Sequence, residues 1–370
     1  MLAALTIAVD DLEQMVSHWF FSVRLQCSID FASKLANTFL VMDNKRIFIL
    51  LVLVLNIFSV KAATYTWDGS SSNLWNTAAN WDLNAVPTTG DALVFPSGAS
   101  NVSTSNDIAG GTSFASITFG AGGASTYTLA GNAIVLSGGA TAIAANNTSL
   151  TMTISLNITF STAAPTIAVA SGGTLTISGT IDNGGLLITH SCAGTSTISG
   201  VISGTGGLTK TGTGTLYLTV NNTMSGTKTW AAGTIEIYTT QGLGTGNITM
   251  IEPAVLRVLN NGSGNNGTIT MVGTFTTNTD GGTIYVANNG SNTGNNVVFS
   301  GTPKMYYNTT FNITGANGYT VQLTGVTNNS GTAAASMTFN PTTASISFGT
   351  VVNTVTYHTL VLDGTCTGKP

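Results

Sequence analysis

The chain has 370 residues and a net charge of −4, yet charged side chains make up only 6% of it and glycine occurs 44 times. Average globular proteins are roughly a quarter charged, so no basic face is available for nucleic acid. The 42% apolar content is too high for a disordered polymer.

Residues 1–41 stand apart, with six charged side chains and helix-like apolar spacing. Met42 opens a basic start, Met-Asp-Asn-Lys-Arg, followed by the apolar run Ile47–Leu55 and a Val60-Lys61-Ala62 exit. That order is the pattern of a secretory signal peptide, and the run is too short for a membrane span. The expectation is a spurious extension over 1–41, a signal peptide over 42–62 and no membrane span in the mature chain.

Residues 63–100 bring Trp67, Trp75 and Trp81 within 15 positions, beside Asp68, Asn73, Asn80 and Asp91. Such a cluster seals the first rung of a repeat or forms a sugar-stacking platform; the sealing role is expected.

From Asn101 onward, short strands recur between Gly, Asn and Ser turns: Ser116–Phe119, Thr126–Leu129, Ala133–Leu136, Thr151–Phe160, Thr166–Val169 and Thr174–Ser178. A register runs through Ile177, Ile198, Leu218, Ile237 and Val258, in steps of 21, 20, 19 and 21. The clearest lap joins Thr215–Thr219 to Thr234–Tyr238, each preceded by a glycine, Gly214 and Gly233. One lap cannot bury its own apolar row, so copies must stack above and below it. The expected fold is all-β, a parallel β-solenoid over 101–370 of about 10–14 rungs, cut at its C-terminal end. Beyond Val258 the strands are harder to phase: Thr283–Val286, Asn296–Ser300, Tyr319–Leu323 and Ser336–Asn340, with Thr356–Gly364 resembling a fresh rung. No alternating strands with aromatic girdles, as a membrane barrel needs, occur there.

Residues 207–238 carry Leu208-Thr209-Lys210, Gly212, Gly214-Thr215-Leu216, Asn221-Asn222, Ser225-Gly226 and Gly233-Thr234-Ile235. This order resembles the autotransporter-associated β-strand repeat of bacterial secreted and surface proteins, and Gly242–Gly246 is similar to the segment that succeeds the repeat in those proteins. The resemblance implies a right-handed parallel β-helix outside the cell. It implies no reaction, because the repeat is a scaffold.

Past Ala62 there are nine acids and five bases. Glu236, Glu252 and Arg257 are the nearest approach to a catalytic set, with Asp182 and Lys210 as further members. Alternation turns Glu236 and Arg257 outward, where they form a cross-rung ion pair. Lys210 is placed at a rung corner. His190 and His358 have no acid partner nearby, and Asp280-Gly281-Gly282 is a turn. Metal-ligand spacings are missing. Cys27, Cys192 and Cys366 lie too far apart for a disulfide framework, with Cys192 expected as a buried thiol.

Catalytic, cofactor and metal residues are therefore all expected to be none. The reading is a non-enzymatic scaffold, exported to the bacterial surface or secreted, with surface glycans or cell-surface proteins as partners, in adhesion or matrix building. The alternatives are a carbohydrate-binding module on the three tryptophans, or a β-helix polysaccharide lyase or hydrolase, which needs clustered carboxylates.

Overall fold

The computed structural model describes residues 62–370, apart from 123–124, 140, 163, 252, 274–280, 301–303, 306–308, 329–335, 354–358 and 366–370. Residues 42–61 of the expected signal peptide, residues 1–41 and Cys27 lie outside the described residues.

The described chain is a β-solenoid of about 11 turns. Its regular structure is strand, save one three-residue 3-10 turn at Ala78–Asn80. Each lap lays short strands into separate sheets, and every strand-to-strand pair is parallel. A nine-stranded sheet runs from Thr64–Thr66 to Ile248–Met250, and a twelve-stranded sheet from Ser103–Asn106 to Thr359–Leu362. A five-stranded sheet of two- and three-residue strands closes the early laps, from Thr112–Phe114 to Ile202–Ser203. A second five-strand sheet, from Thr268–Met271 to Ser345–Asn353, serves the later ones.

The expected register holds. Ile177 pairs with Ile198, Ile198 with Leu218, Leu218 with Ile237 and Ile237 with Val258. The column extends upstream to Ile154 and downstream to Val286, and its members are buried. The step from Val258 to Val286 is long, and the turn at 260–267 adds residues without disturbing the stack. Gly233 has φ +69°, and a Cβ there would lie 2.5 Å from Gly212 O. A Cβ on Gly214 would lie 2.0 Å from Gly194 O, so turns from adjacent laps touch through backbone alone.

One strand expectation needs correction. Thr151–Phe160 is two strands, Thr151–Ile154 and Ile158–Phe160, on different sheets. Leu156 is buried at the corner between them, so alternation continues through the bend and hides it.

The N-terminal module is continuous with the solenoid, since Thr64–Thr66 pairs with Ala92–Phe95 and that strand with Ser116–Phe119. Trp67, Trp75 and Trp81 are fully buried and meet edge to face, at ring distances of 5.0 and 6.2 Å. Their indole N–H groups donate inward, to Asn101 O, Thr104 Oγ1 and Trp75 O. They close the first rung and offer no ring face for stacking on a sugar. Buried Asn80 holds the cap loop, accepting from the Ser71 and Ser72 amides and donating to Leu74 O.

The stacked register predicts that Leu218→Asp, which buries an unpaired carboxylate, costs several kcal/mol or forces the acid to neutralise. Thr215→Asp in the same strand points outward and should cost little. Thermal melting of the two variants checks this; equal melting temperatures would place Leu218 outside the core.

Candidate functional site

The acids of the N-terminal module are held by the backbone. Asp68 accepts from the Ser70 amide at 2.8 Å, Asp82 from Thr66 at 2.9 Å and Asp107 from Asn76 at 2.7 Å. Asp91, 3% exposed, accepts from the amides of Ala63 and Thr88, both at 2.8 Å. Asp182 does the same for Gly184 at a turn. Charge-assisted bonds to orphan amides are a structural use of a carboxylate, and each fixes a loop that strand pairing leaves open.

Asp182, Lys210 and the pair Glu236 and Arg257 lie apart from one another. Asp182 lies outward on a five-stranded sheet, Lys210 inward on the nine-stranded sheet, and Glu236 and Arg257 on the twelve-stranded sheet. Glu252, Asp280 and His358 lie outside the described residues. Among the described residues no three His, Cys, Asp or Glu side chains approach as metal ligands would.

Glu236 and Arg257 form the expected pair on adjacent rungs, with Arg257 Nε donating to Glu236 Oε2 at 2.7 Å. The pair belongs to an outward ladder: Tyr217, Glu236, Arg257 and Tyr285 succeed one another in register. The Arg257 guanidinium lies 4.3 Å from the Tyr285 ring centre, a cation–π contact. Tyr238 donates its hydroxyl to Glu236, and burial together with that bond pushes its pKa up. Glu236 is thereby engaged on both oxygens, which suits a clasp between three rungs better than a general base.

The unexpected cluster is interior. In the nine-stranded sheet one inward column runs Leu93, Ile117, Ile143, Ile167, His190, Lys210, Trp230 and Met250. Midway it turns from aliphatic to polar. His190 Nε2 meets Ser196 Oγ at 3.0 Å across the core, while its Nδ1 has no partner. Lys210 is fully buried, and its ammonium is solvated by four carbonyls: Gly212 at 2.7 Å, Thr211 at 2.8 Å, Ala232 at 3.3 Å and Cys192 at 3.5 Å. The corner location expected for Lys210 is where its ammonium ends, with the whole side chain buried. Lys228 is buried too and donates to Gly226 O at 2.9 Å. Cys192 is a free buried thiol, as expected; Cys366 lies outside the described residues.

Burial and the neighbouring Lys210 charge hold the His190 pKa down to about 3. Burial lowers that of Lys210 and takes Lys228 to about 8, while it raises the Cys192 thiol. The inward lysines were readable by phase: Lys210 shares it with Leu208, and Lys228 with Trp230. The cluster is sealed from solvent, so its chemistry is that of a core.

Comparison with known proteins finds no matching family model, no matching curated protein and no matching solved structure.

The buried bases make stability depend on pH in two ranges. The unfolded imidazole takes up a proton near 6.5, whereas folded His190 resists until about 3. The unfolded state binds the proton first, so stability falls as pH drops between these values, by a few kcal/mol in all. His190→Leu should flatten that acid limb in pH-dependent melting. Unfolded Lys228 is charged below 10.5 and the folded amine only below about 8. Stability therefore rises from pH 8 to 10.5, and Lys228→Met should reduce that rise, leaving the part that Lys210 contributes.

Proposed function

We propose that this protein is a non-enzymatic, exported β-solenoid scaffold of the bacterial surface or extracellular space. The observation carrying the reading is how the charged groups are used. Five carboxylates hold turn amides, Glu236 is bonded to Arg257 and Tyr238, and Lys210 and Lys228 are spent inside the core. General acid–base work needs positioned groups facing a substrate, and these side chains face their own backbone. The repeat-like order over 207–238 supports membership among autotransporter-associated repeat proteins, and the Met42–Ala62 pattern supports export. Among the described residues no helix is long and apolar enough to cross a membrane. On this reading the solenoid serves display to glycans or cell-surface proteins, in adhesion or matrix building.

Expression from Met42 in a bacterial host should give a secreted product beginning at Ala63 or nearby. Mature protein that keeps residues 1–41 would refute the export reading. Incubating that product with pectin-like and alginate-like polymers should release no new reducing or unsaturated ends; turnover would refute the scaffold reading.

A further inference from the structure

The outward face of the twelve-stranded sheet carries a two-dimensional lattice of threonines. One column is Thr151, Thr174, Thr195, Thr215 and Thr234, paired rung to rung. Beside it runs Thr128, Thr153, Thr176 and Thr197, two residues further along the same strands. Through Thr151–Thr153, Thr174–Thr176 and Thr195–Thr197 the register has no shift, giving three successive Thr-x-Thr rungs. The nine-stranded sheet also stacks threonines, Thr166, Thr189, Thr209, Thr229 and Thr249, but as a single column, since Ala168, Ser191 and Thr211 fill the paired positions two residues on.

The lattice spacings come from strand geometry: about 4.8 Å between rungs and about 6.7 Å between alternate residues. Every position presents a hydroxyl and a methyl group. Among the described residues none of the six Thr-x-Thr hydroxyls hydrogen-bonds to a protein group, and all six side chains are at least partly exposed. β-Propensity alone does not select this array, because Tyr217, Val255 and Tyr285 fill equivalent outward positions further along.

A ligand matched to such a face both along and across its rungs would repeat in two dimensions, as a crystal surface does. A mineral lattice would call for arrayed charge, and a crystalline polysaccharide for exposed aromatic platforms; the three rungs carry neither. Neutral hydroxyls with interleaved methyls, at spacings close to the a and c repeats of hexagonal ice, fit crystalline water. We propose that the Thr151–Thr197 face binds ice, its hydroxyls and methyls holding water in a lattice-matched layer. This goes beyond the scaffold reading and stands whether or not the chain is exported.

The test is thermal hysteresis and ice-recrystallisation inhibition by the purified protein, with fluorescently labelled protein to show adsorption to an ice hemisphere. The native protein should inhibit recrystallisation and coat defined planes; behaviour equal to serum albumin would overturn the proposal. Thr176→Tyr should lose most of the activity while keeping its melting temperature, since the same column already accommodates Tyr217 two rungs on. Thr195→Lys is the second such variant. Thr209→Tyr, on the nine-stranded sheet, should retain activity. Full activity in both Thr176→Tyr and Thr195→Lys, or loss in Thr209→Tyr alone, would overturn the assignment to this face.

Discussion

Parallel hydrogen bonding between successive laps is the constraint on which the molecule depends. It fixes the rung spacing at about 4.8 Å and sets each residue directly over its counterpart. A side chain must then suit the one above and the one below. Inside, this yields the unbroken column from Ile154 through Ile177, Ile198, Leu218, Ile237 and Val258 to Val286. Outside, like charges stacked at that distance would repel, which gives a physical reason for so small a charged fraction. Where opposite charges do stack, at Glu236 and Arg257, they join their rungs.

The constraint also makes the ends unlike the middle. A lap in the middle is covered on both sides, whereas the first described lap has a paired neighbour on one side only among the described residues. The chain answers with its bulkiest side chains, Trp67, Trp75 and Trp81, packed against Phe95 and sealed by loops that Asp82, Asp91 and Asp107 fasten. At the other described end the inward rows become exposed. Phe339 is fully buried, while its partner one rung on, Leu362, is 63% exposed. Ile346 and Phe348 are only partly buried over Val321 and Leu323.

Much of this was legible in the sequence because two signals coincide: period-two alternation and a glycine at each tight turn. They located Thr215–Leu218, Thr234–Ile237 and the register of five core residues, and placed Glu236 opposite Arg257. Three things stayed hidden. Strands as short as Ile181–Asp182 and Ile202–Ser203 carry too few residues to show a period, so these two members of the third sheet left no trace. The bend at Leu156 was masked because corner residues also point inward. The carboxylates of the cap were visible, but the amides they accept from lie as far as 31 residues away, a distance only folding closes.

The interior bases show where a sound rule was overridden. Phase placed Lys210 with Leu208 and Lys228 with Trp230, while the general cost of burying charge argued for the surface. The fold lowers that cost with what a solenoid corner supplies in excess, carbonyl oxygens. Parallel pairing uses one side of each strand per neighbour, and at a turn the carbonyls of successive laps converge. Lys210 reaches Thr211 and Gly212 on its own lap, Cys192 on the lap before and Ala232 on the lap after. One ammonium thus ties three laps, adding to backbone bonds such as Gly214 N–H to Cys192 O at 2.9 Å. His190 completes the arrangement by staying neutral: it occupies the rung beside a cation and still bonds to Ser196. The polar segment of the core is a cross-brace, and its position in the middle of an aliphatic column is where sliding of one lap over the next would otherwise meet only methyl groups.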